Sequence, residues 1–445
     1  MNLLTDKVSK MYYRFLASAI GSTVVMTIYT TVDLMCVGHY AGPVGSAAIS
    51  YINPLWSIMI SPGVLTGVGG SVMLANRFGA GNDKEGKEYF TLATLLTLCF
   101  SVVIALSFIL FPANLLSFFG AEGEPLAHGV AYMRSVALVS PTFTMCACLS
   151  SFQRNSGDAV TPTVATIAGG ITNMILDVLF VFDFGLGLGT AGAGIATSIG
   201  QLVAFSIILS RFFFKNSKLR FVIPKEPFKK IGKILVVGLA AFVLDMSFGV
   251  TTAAYNLAIT DRLGETEVAV YGAIACVLSM YYCIMNAAGV ALQPIAAANF
   301  GAGKKDRARS ALVLGIVCVG IMGVLFFALS MLFPGEILKI YMKVNDDVMK
   351  TGPEITRIYC LGVIIAGFSI VSSYYLQSVL QQNKSLIISL LRGMILPVIL
   401  LFVLPLAFGA DSVWWSIPIA EAITLIVSAI FMLTDYRSRG KENIN

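Results

Sequence analysis

Apolar runs of roughly twenty residues recur along this chain from one end to the other, and each is long enough to cross the ~30 Å hydrocarbon core of a bilayer. The twelve runs predict twelve transmembrane helices, at about 13–37, 46–75, 88–111, 130–153, 160–183, 190–214, 231–257, 268–298, 310–333, 353–377, 384–407 and 412–433. Only 12% of the 445 residues are charged, whereas a soluble domain averages about 25%. We therefore predict an all-α polytopic membrane protein.

The distribution of Lys and Arg predicts how the chain is oriented. If the N-terminus and the loops after even-numbered helices share one side, that side holds 24 of the 30 basic residues. Because Lys and Arg accumulate in cytoplasmic loops, we expect a multi-pass protein of the plasma (inner) membrane with both termini in the cytoplasm. The net charge of +6 then reflects topology. We expect no nucleic-acid partner, because the basic residues are spread over short loops.

An internal repeat divides the chain into halves. The tetrad FGAG begins at Phe78 and again at Phe300, 222 residues later. Each half holds six predicted helices, so both halves enter the membrane in the same sense, as in transporters with parallel repeats. We predict an N-lobe at 1–215, a cytoplasmic connector at 216–233 and a C-lobe at 234–445, forming two pseudo-symmetric six-helix bundles around a central cavity.

A few polar residues interrupt the apolar helices of the N-lobe. A charge within the membrane costs upwards of ~2.5 kcal/mol and normally faces a protein interior or a water-filled cavity. Asn173 lies one turn before Asp177, and Tyr29 lies one turn before Asp33, so each carboxylate has a polar neighbour on its own helix face. In the next helix, the small residues of GAGIATSIG permit close packing, and Thr197 adds a hydroxyl oxygen.

The carboxylates Asp33 and Asp177 do not recur in the second half, where they map onto Tyr255 and Leu401. A purely architectural pair is expected in both halves, so this restriction favours a site in the N-lobe, although either residue alone could simply hold helices together. Two buried carboxylates, an amide and a hydroxyl suit a cation, because burial and a second nearby carboxylate favour a neutralised pair. A proton or Na⁺ would serve equally well.

The C-lobe contains three ionisable residues of interest within its predicted helices. Asp245 is a candidate second coupling or substrate-binding carboxylate. Glu421 is expected to anchor the last helix. Arg392 lies one to two turns into its helix, so we expect its side chain to snorkel to the membrane surface.

Several segments together resemble the multidrug and toxic compound extrusion (MATE) family, over essentially the whole chain. They are YTTVDLMCVGHYAG (29–42), RFGAGNDKEGK (77–87) with the second FGAG, FQRNSGDAVTPT (152–163), NMILDVLFVFDFGLGLGTAGAGIATSIGQ (173–201) and VWWSIPIAEAI (413–423). Each segment alone is a weak signal, but their order and spacing over two lobes make the match fairly specific. The chain departs from some members at its tenth helix, VIIAGFSIVSSYYLQ, which has no aspartate.

The resemblance implies a transporter and no enzyme: a secondary active antiporter that exports organic, often cationic and amphipathic, compounds in exchange for H⁺ or Na⁺ by alternating access. Carried over by position, the implied cation site, or Na⁺ ligand set, is Asp33, Asn173, Asp177 and Thr197, with Tyr29 and Tyr132 beside it and Asp245 as the C-lobe acid. The implied partners are small organic molecules and the lipid bilayer. We expect a monomer, and no cofactor besides the coupling ion.

Three alternative functions fit the sequence less well. A lipid-linked saccharide flippase of the same superfamily should line its cavity with several basic residues, and Arg392 is the only one that lies away from the ends of a predicted helix. An intramembrane aspartyl protease should carry G-x-G-D, whereas DFGLGLG places its glycines after the aspartate, and a protease does not explain the repeat. A passive channel should show a re-entrant pore segment, which the sequence does not indicate.

Overall fold

The structure is a computed structural model that describes residues 2–213, 218–262, 265–341 and 346–441. The predicted connector at 216–233 is therefore described except for residues 216 and 217. Within these ranges the chain is almost entirely helical. Eleven of the described helices are long and apolar enough to cross a membrane, and there are twelve crossings if one bent pair forms a single span. The predicted all-α membrane fold is confirmed.

The chain divides into two compact units, which comprise Met1–Asp6, Ala17–Phe242 and Gly301–Gly303 on the one hand, and Lys7–Leu16, Val243–Phe300 and Lys304–Asn445 on the other. The helices of the first half are α1 (Val8–Gly79), α2 (Asp83–Leu110), α3 (Pro112–Phe118), α4 (Gly123–Ala137), α5 (Ser140–Asn155), α6 (Val160–Val181) and α7 (Gly189–Phe213). Those of the second half are α8 (Pro227–Arg262), α9 (Glu265–Gly301), α10 (Lys305–Leu332), α11 (Pro334–Tyr341), α12 (Asp346–Ser378), α13 (Gln382–Leu390), α14 (Leu396–Phe408) and α15 (Ser416–Lys441). A π-helical turn (Leu391–Ile395) precedes α14, and a 3₁₀ turn (Ala410–Trp415) follows it.

Single residues shape the first, second and fourth predicted spans. Helix α1 contains both the first and the second span, which are separated at Gly42, where φ is 61° and ψ is −146°. Glycine adopts this left-handed conformation without a steric penalty. The fourth span was expected to be one helix but consists of α4 and α5, bent by 60°. Pro141, in the first turn of α5, lacks the N–H that would continue the hydrogen bonding of α4.

The internal repeat is visible in the helix boundaries. Helices α1 and α9 end at the first glycine of each FGAG tetrad, and in both tetrads the second glycine has a positive φ, 76° at Gly81 and 71° at Gly303. A left-handed glycine of this kind commonly ends a helix. The following helices, α2 and α10, both have 28 residues and both end one residue before a phenylalanine, Phe111 or Phe333.

The second unit has an aromatic core where the first unit carries Asp33. Tyr255, the residue onto which Asp33 maps, is completely buried and stacks on Tyr271 with a centroid distance of 5.2 Å. Tyr359 meets both rings edge-on at 6.0 Å. The Tyr255 hydroxyl is hydrogen-bonded to Ser416. This region of the second unit is therefore filled by packed tyrosines.

Candidate functional site

Asp33, on the first span of α1, is bound by a tyrosine from α4. The Tyr132 hydroxyl donates a hydrogen bond of 3.0 Å to Asp33 Oδ2. The side chain of Tyr132 is 1% exposed, and its ring meets Trp56 edge-on at 6.4 Å. Trp56 in turn packs against Phe143 at 4.9 Å. Trp56 therefore packs beside the tyrosine that donates to Asp33.

The polar pair of α6 is joined to the same tyrosine through α7. The Asn173 amide donates hydrogen bonds of 3.3 Å to Asp177 Oδ1 and 3.2 Å to Thr197 Oγ1. Thr197 Oγ1 also lies 3.1 Å from the Tyr132 hydroxyl. Asp33, Tyr132, Thr197, Asn173 and Asp177 thus form one continuous hydrogen-bonded chain, which we call the polar cluster.

Small residues make this arrangement possible because they let the helices approach closely. A Cβ added at Gly200 on α7 would lie 2.6 Å from the carbonyl oxygen of Gly169 and 2.9 Å from Asn173 Cβ on α6. A Cβ added at Gly194 would lie 2.7 Å from the Tyr132 carbonyl oxygen on α4. Thr197 lies between these two glycines and therefore reaches both neighbouring helices. The close packing expected from GAGIATSIG is present.

Three oxygen atoms of the polar cluster receive no hydrogen bond within the described part of the chain. Asp33 Oδ1, Asn173 Oδ1 and Asp177 Oδ2 are buried and accept no hydrogen bond from any residue that the structure describes. Across the same residues, no Lys, Arg or His forms an ion pair with either aspartate. A buried acceptor without a donor costs ~1–3 kcal/mol, and more if it is charged. The cluster is therefore suited to a cation: a proton turns a carboxylate into a donor, and a small metal ion binds the oxygens directly.

Two predicted site residues, Tyr29 and Asp245, lie outside the hydrogen-bonded polar cluster. The Tyr29 ring packs against Gly170, where an added Cβ would lie 3.0 Å from Tyr29 Cδ1, but Tyr29 makes no hydrogen bond to the polar cluster as described. Asp245 lies on α8 in the second unit and its side chain is exposed.

The described residues contain no group of three or more His, Cys, Asp or Glu side chains suited to a metal ion. The use of the polar cluster as Na⁺ ligands remains a prediction.

The second unit contains a buried ion pair that corrects one expectation. Arg392 does not snorkel, because its side chain is only 10% exposed and its Nε lies 3.0 Å from Glu421 Oε1. The guanidinium also lies over the Tyr282 ring, 4.8 Å from the centroid, and the Tyr282 hydroxyl donates to Glu421 at 3.4 Å. Glu421 thus ties α15 to the chain segment before α14, which agrees with its expected anchoring role.

The local backbone explains why Arg392 points inward. Arg392 and Gly393 lie in the π-helical turn, and π-turns occur frequently at functional sites. The Thr251 hydroxyl of α8 donates a hydrogen bond of 2.6 Å to the Gly393 carbonyl oxygen, and a Cβ added at Gly393 would meet Ser247 Oγ at 2.4 Å. Close packing on α8 therefore accompanies the altered helix geometry. The sequence signal was present: Arg392 and Glu421 are opposite charges within neighbouring apolar helices.

Comparisons with known proteins agree over nearly the whole chain. The MatE family model matches residues 18–179 and 250–403. Multidrug export protein MepA of Staphylococcus saprophyticus is 25% identical over 424 residues, which cover 94% of this chain and 92% of that protein. Multidrug export protein MepA of Staphylococcus aureus is 24% identical over 419 residues, covering 93% and 91%.

Solved structures share the same fold at low sequence identity. An outward-facing multidrug resistance MATE family transporter of the MOP superfamily has a TM-score of 0.90 at 21% identity, covering 99% of this chain and 98% of that one. A MATE structure in a bent conformation has a TM-score of 0.91 at 21% identity, covering 100% and 98%. The family model covers well over half of the sequence. The chain therefore belongs to the MatE family of membrane transporters.

Proposed function

We propose that this protein exports organic, often cationic and amphipathic, compounds from the cell in exchange for H⁺ or Na⁺ bound at the polar cluster. Family membership and the similarity to proteins named multidrug export protein support the export of small organic molecules. The observation that carries the coupling proposal is the buried chain from Asp33 to Asp177, with its three acceptor oxygens that have no donor among the described residues.

The residues of the polar cluster would divide the work as follows. Asp33 and Asp177 supply the negative charge that attracts the cation. The Tyr132 hydroxyl and the Asn173 amide donate to these carboxylates, so that each keeps one oxygen free for the incoming ion. Thr197 links the two halves of the cluster, so that a change at one carboxylate is transmitted to the other.

Cation binding at the polar cluster can change how α1 packs against α4. Asp33 lies on the first span of α1, which is separated from the second span by the break at Gly42. When a cation neutralises Asp33, the hydrogen bond that holds α1 to Tyr132 on α4 weakens. Antiport then requires only that the cation-bound and cation-free conformations differ in their affinity for the exported compound. We propose alternating access on this basis.

The second unit is less suited than the polar cluster to bind the coupling ion. Glu421, a buried carboxylate of this unit, already has a permanent positive partner in Arg392. The same ion pair disfavours the flippase alternative, since Arg392, the basic residue that lies farthest inside a predicted helix, is not free to bind a pyrophosphate. Asp245 remains a candidate for substrate binding, because its side chain is exposed.

Ethidium transport tests the proposal. Right-side-out and inverted membrane vesicles would be given H⁺ and Na⁺ gradients separately, with wild type compared with Asp33→Asn and Asp177→Asn. Asp411→Asn is the matched control, because Asp411 is an exposed acid in the second unit. We expect one gradient to drive transport by wild type and the control, and neither aspartate variant to respond. If both aspartate variants respond as wild type does, the coupling site is wrong.

A further inference from the structure

A cavity of about 360 Å³ lies where the connector enters α8 and α2 begins. It is lined by five lysines, three glutamates and Asn82, all within the first unit, and we call it the connector pocket. It lies on the face that carries the basic loops and is therefore predicted to face the cytoplasm. It does not involve the polar cluster, so its role is separate from cation coupling.

The acidic residues of the connector pocket are already neutralised. Glu88 is 3% exposed, forms an ion pair with Lys230 and accepts a hydrogen bond of 3.3 Å from the Lys225 backbone N–H. Glu85 binds Arg77 at 3.2 Å, and Glu226 binds Lys229 at 3.5 Å. Each carboxylate that lines the pocket thus has a basic partner.

Three lysines of the connector pocket have no carboxylate partner among the described residues. Lys84, Lys225 and Lys233 line the pocket, and their ammonium groups make no hydrogen bond or ion pair with the residues that the structure describes. A concave site with surplus positive charge at the cytoplasmic end of membrane helices is suited to a phosphate headgroup. Its ligand should therefore be an anion.

The pocket is preformed because its connector wall is fixed to α2. The Val222 backbone N–H donates a hydrogen bond of 3.0 Å to Thr91 Oγ1, and the Phe221 ring lies 5.1 Å from that of Phe90. Glu226 has a φ of 49°, a conformation that non-glycine residues seldom adopt. Residues held in such conformations tend to occur where the surrounding structure builds a binding site.

Large apolar side chains beside the pocket identify the source of the anion. Phe221 is 62% exposed, Ile223 is 91% exposed and Phe228 is 88% exposed. Phe221 and Ile223 precede α8 and lie outside the candidate membrane spans. Apolar side chains next to lysines are the pattern of segments that rest in the headgroup region of a membrane, with the apolar groups in the acyl boundary. A free phosphate ion would make no use of them.

We propose that the connector pocket binds the phosphate headgroup of an anionic phospholipid. Lys84, Lys225 and Lys233 contact the phosphate, while Phe221, Ile223 and Phe228 enter the adjacent acyl region. The bound lipid holds the connector and the first turn of α8 at the membrane surface.

Lipid titration of the full-length protein tests this proposal. Detergent-solubilised protein would be titrated with phosphatidylglycerol or phosphatidylcholine, and bound lipid would be counted by native mass spectrometry. The test variant is Lys84→Gln/Lys225→Gln/Lys233→Gln. The control, Lys7→Gln/Lys10→Gln/Lys218→Gln, removes the same charge from three exposed lysines that do not line the pocket. A basic residue near an anionic membrane contributes roughly five-fold in affinity, so we expect the test variant to lose on the order of 100-fold for phosphatidylglycerol.

Separate results would overturn the lysine site, the lipid as ligand and the role of the apolar side chains. Equal phosphatidylglycerol binding by the test variant and the control would overturn the site. Displacement of the lipid by millimolar inorganic phosphate would overturn the lipid as the source of the anion. The variant Ile223→Ser/Phe228→Ser leaves all lysines in place, and we expect it to weaken lipid binding. Unchanged binding in this variant would overturn the role of the apolar side chains.

Discussion

Tyr132 and Asp33 are 99 residues apart in the chain and are joined by a hydrogen bond of 3.0 Å. The same hydroxyl lies 3.1 Å from Thr197 Oγ1, so it connects α1 to α7 from its position on α4. Among the hydrogen bonds of the polar cluster, this is the one that holds Asp33. Without this hydrogen bond, Asp33 is no longer connected to Thr197 and Asp177, although both carboxylates remain.

Tyr132→Phe should therefore strengthen cation binding while leaving the fold intact, because the hydrogen bond from Tyr132 stabilises the ionised, cation-free carboxylate of Asp33. Hydrogen bonds to charged groups contribute ~1.5–3 kcal/mol, which corresponds to a gain in cation affinity of roughly ten-fold to hundred-fold if the bond is lost completely on cation binding. The measurement is the cation concentration that gives half-maximal ethidium transport in vesicles. Tyr13→Phe is the matched control, because Tyr13 is 55% exposed. An unchanged half-maximal concentration in Tyr132→Phe would exclude Tyr132 from the cation site.

Gly200→Ala should disturb the packing that brings Thr197 to Asn173. The added methyl group would lie 2.6 Å from the Gly169 carbonyl oxygen, which is backbone and cannot move aside easily. Overpacking of this kind costs ~1–3 kcal/mol. We expect a lower melting temperature in detergent together with reduced transport. Gly232→Ala is the control: a Cβ there meets nothing within 4 Å, and a compatible Gly→Ala change stabilises by ~0.4–1 kcal/mol. Equal melting temperatures in the two variants would contradict the packing account.

The ion pair between Arg392 and Glu421 should behave as a structural element. Removing one partner of a buried ion pair costs ~3–5 kcal/mol, whereas replacing both with apolar residues is often neutral. We therefore expect Arg392→Met to lower the melting temperature strongly and Arg392→Met/Glu421→Leu to recover most of the loss. The double variant should keep the cation dependence of wild type. Loss of cation dependence in a folded double variant would place coupling in the second unit.

Asp158 should make stability depend on pH at the start of α6. Partial burial opposes its ionisation, but hydrogen bonds from Thr161 and an ion pair of 2.9 Å with Arg211 outweigh this effect, so the pKa of Asp158 lies below its ordinary value of 3.8. A carboxyl whose pKa is lowered on folding stabilises the protein above its unfolded pKa, and this contribution is lost as the pH falls through the folded pKa.

The corresponding test is Asp158→Asn, compared with wild type between pH 7 and pH 3. We expect the variant to be less stable by about 1 kcal/mol at pH 7, since partly exposed ion pairs and helix-start hydrogen bonds contribute about this much. The difference should shrink as the pH approaches 3. Asp411→Asn should show no such dependence. A difference that stays constant with pH would mean that ionisation of Asp158 does not stabilise the fold.

Much of this architecture was predictable from the sequence because membrane helices obey strong local constraints. Apolar runs identified the helices, and the repeated FGAG marked two helix ends that share the same left-handed glycine. Asn173 and Asp177 stood out because polar residues inside apolar helices are costly. The small residues around Thr197 correctly indicated close packing.

The remaining features depend on contacts that no local pattern encodes. Arg392 was expected to reach the membrane surface, but the π-helical turn directs it towards Glu421, which lies 29 residues away. The fourth span was predicted as one helix, although Pro141 was a usable signal for the bend between α4 and α5. The contact of Trp56 with Tyr132 was missed, because an aromatic residue within an apolar helix carries no distinguishing pattern.

Direct cation binding to purified protein tests the central proposal most simply. Uptake of ²²Na⁺ and of protons would be measured for wild type, Asp33→Asn, Asp177→Asn and the control Asp411→Asn. We predict that wild type and the control bind one of the two cations and that both aspartate variants lose it. Retention of the wild-type stoichiometry in both aspartate variants would contradict a coupling site at Asp33 and Asp177.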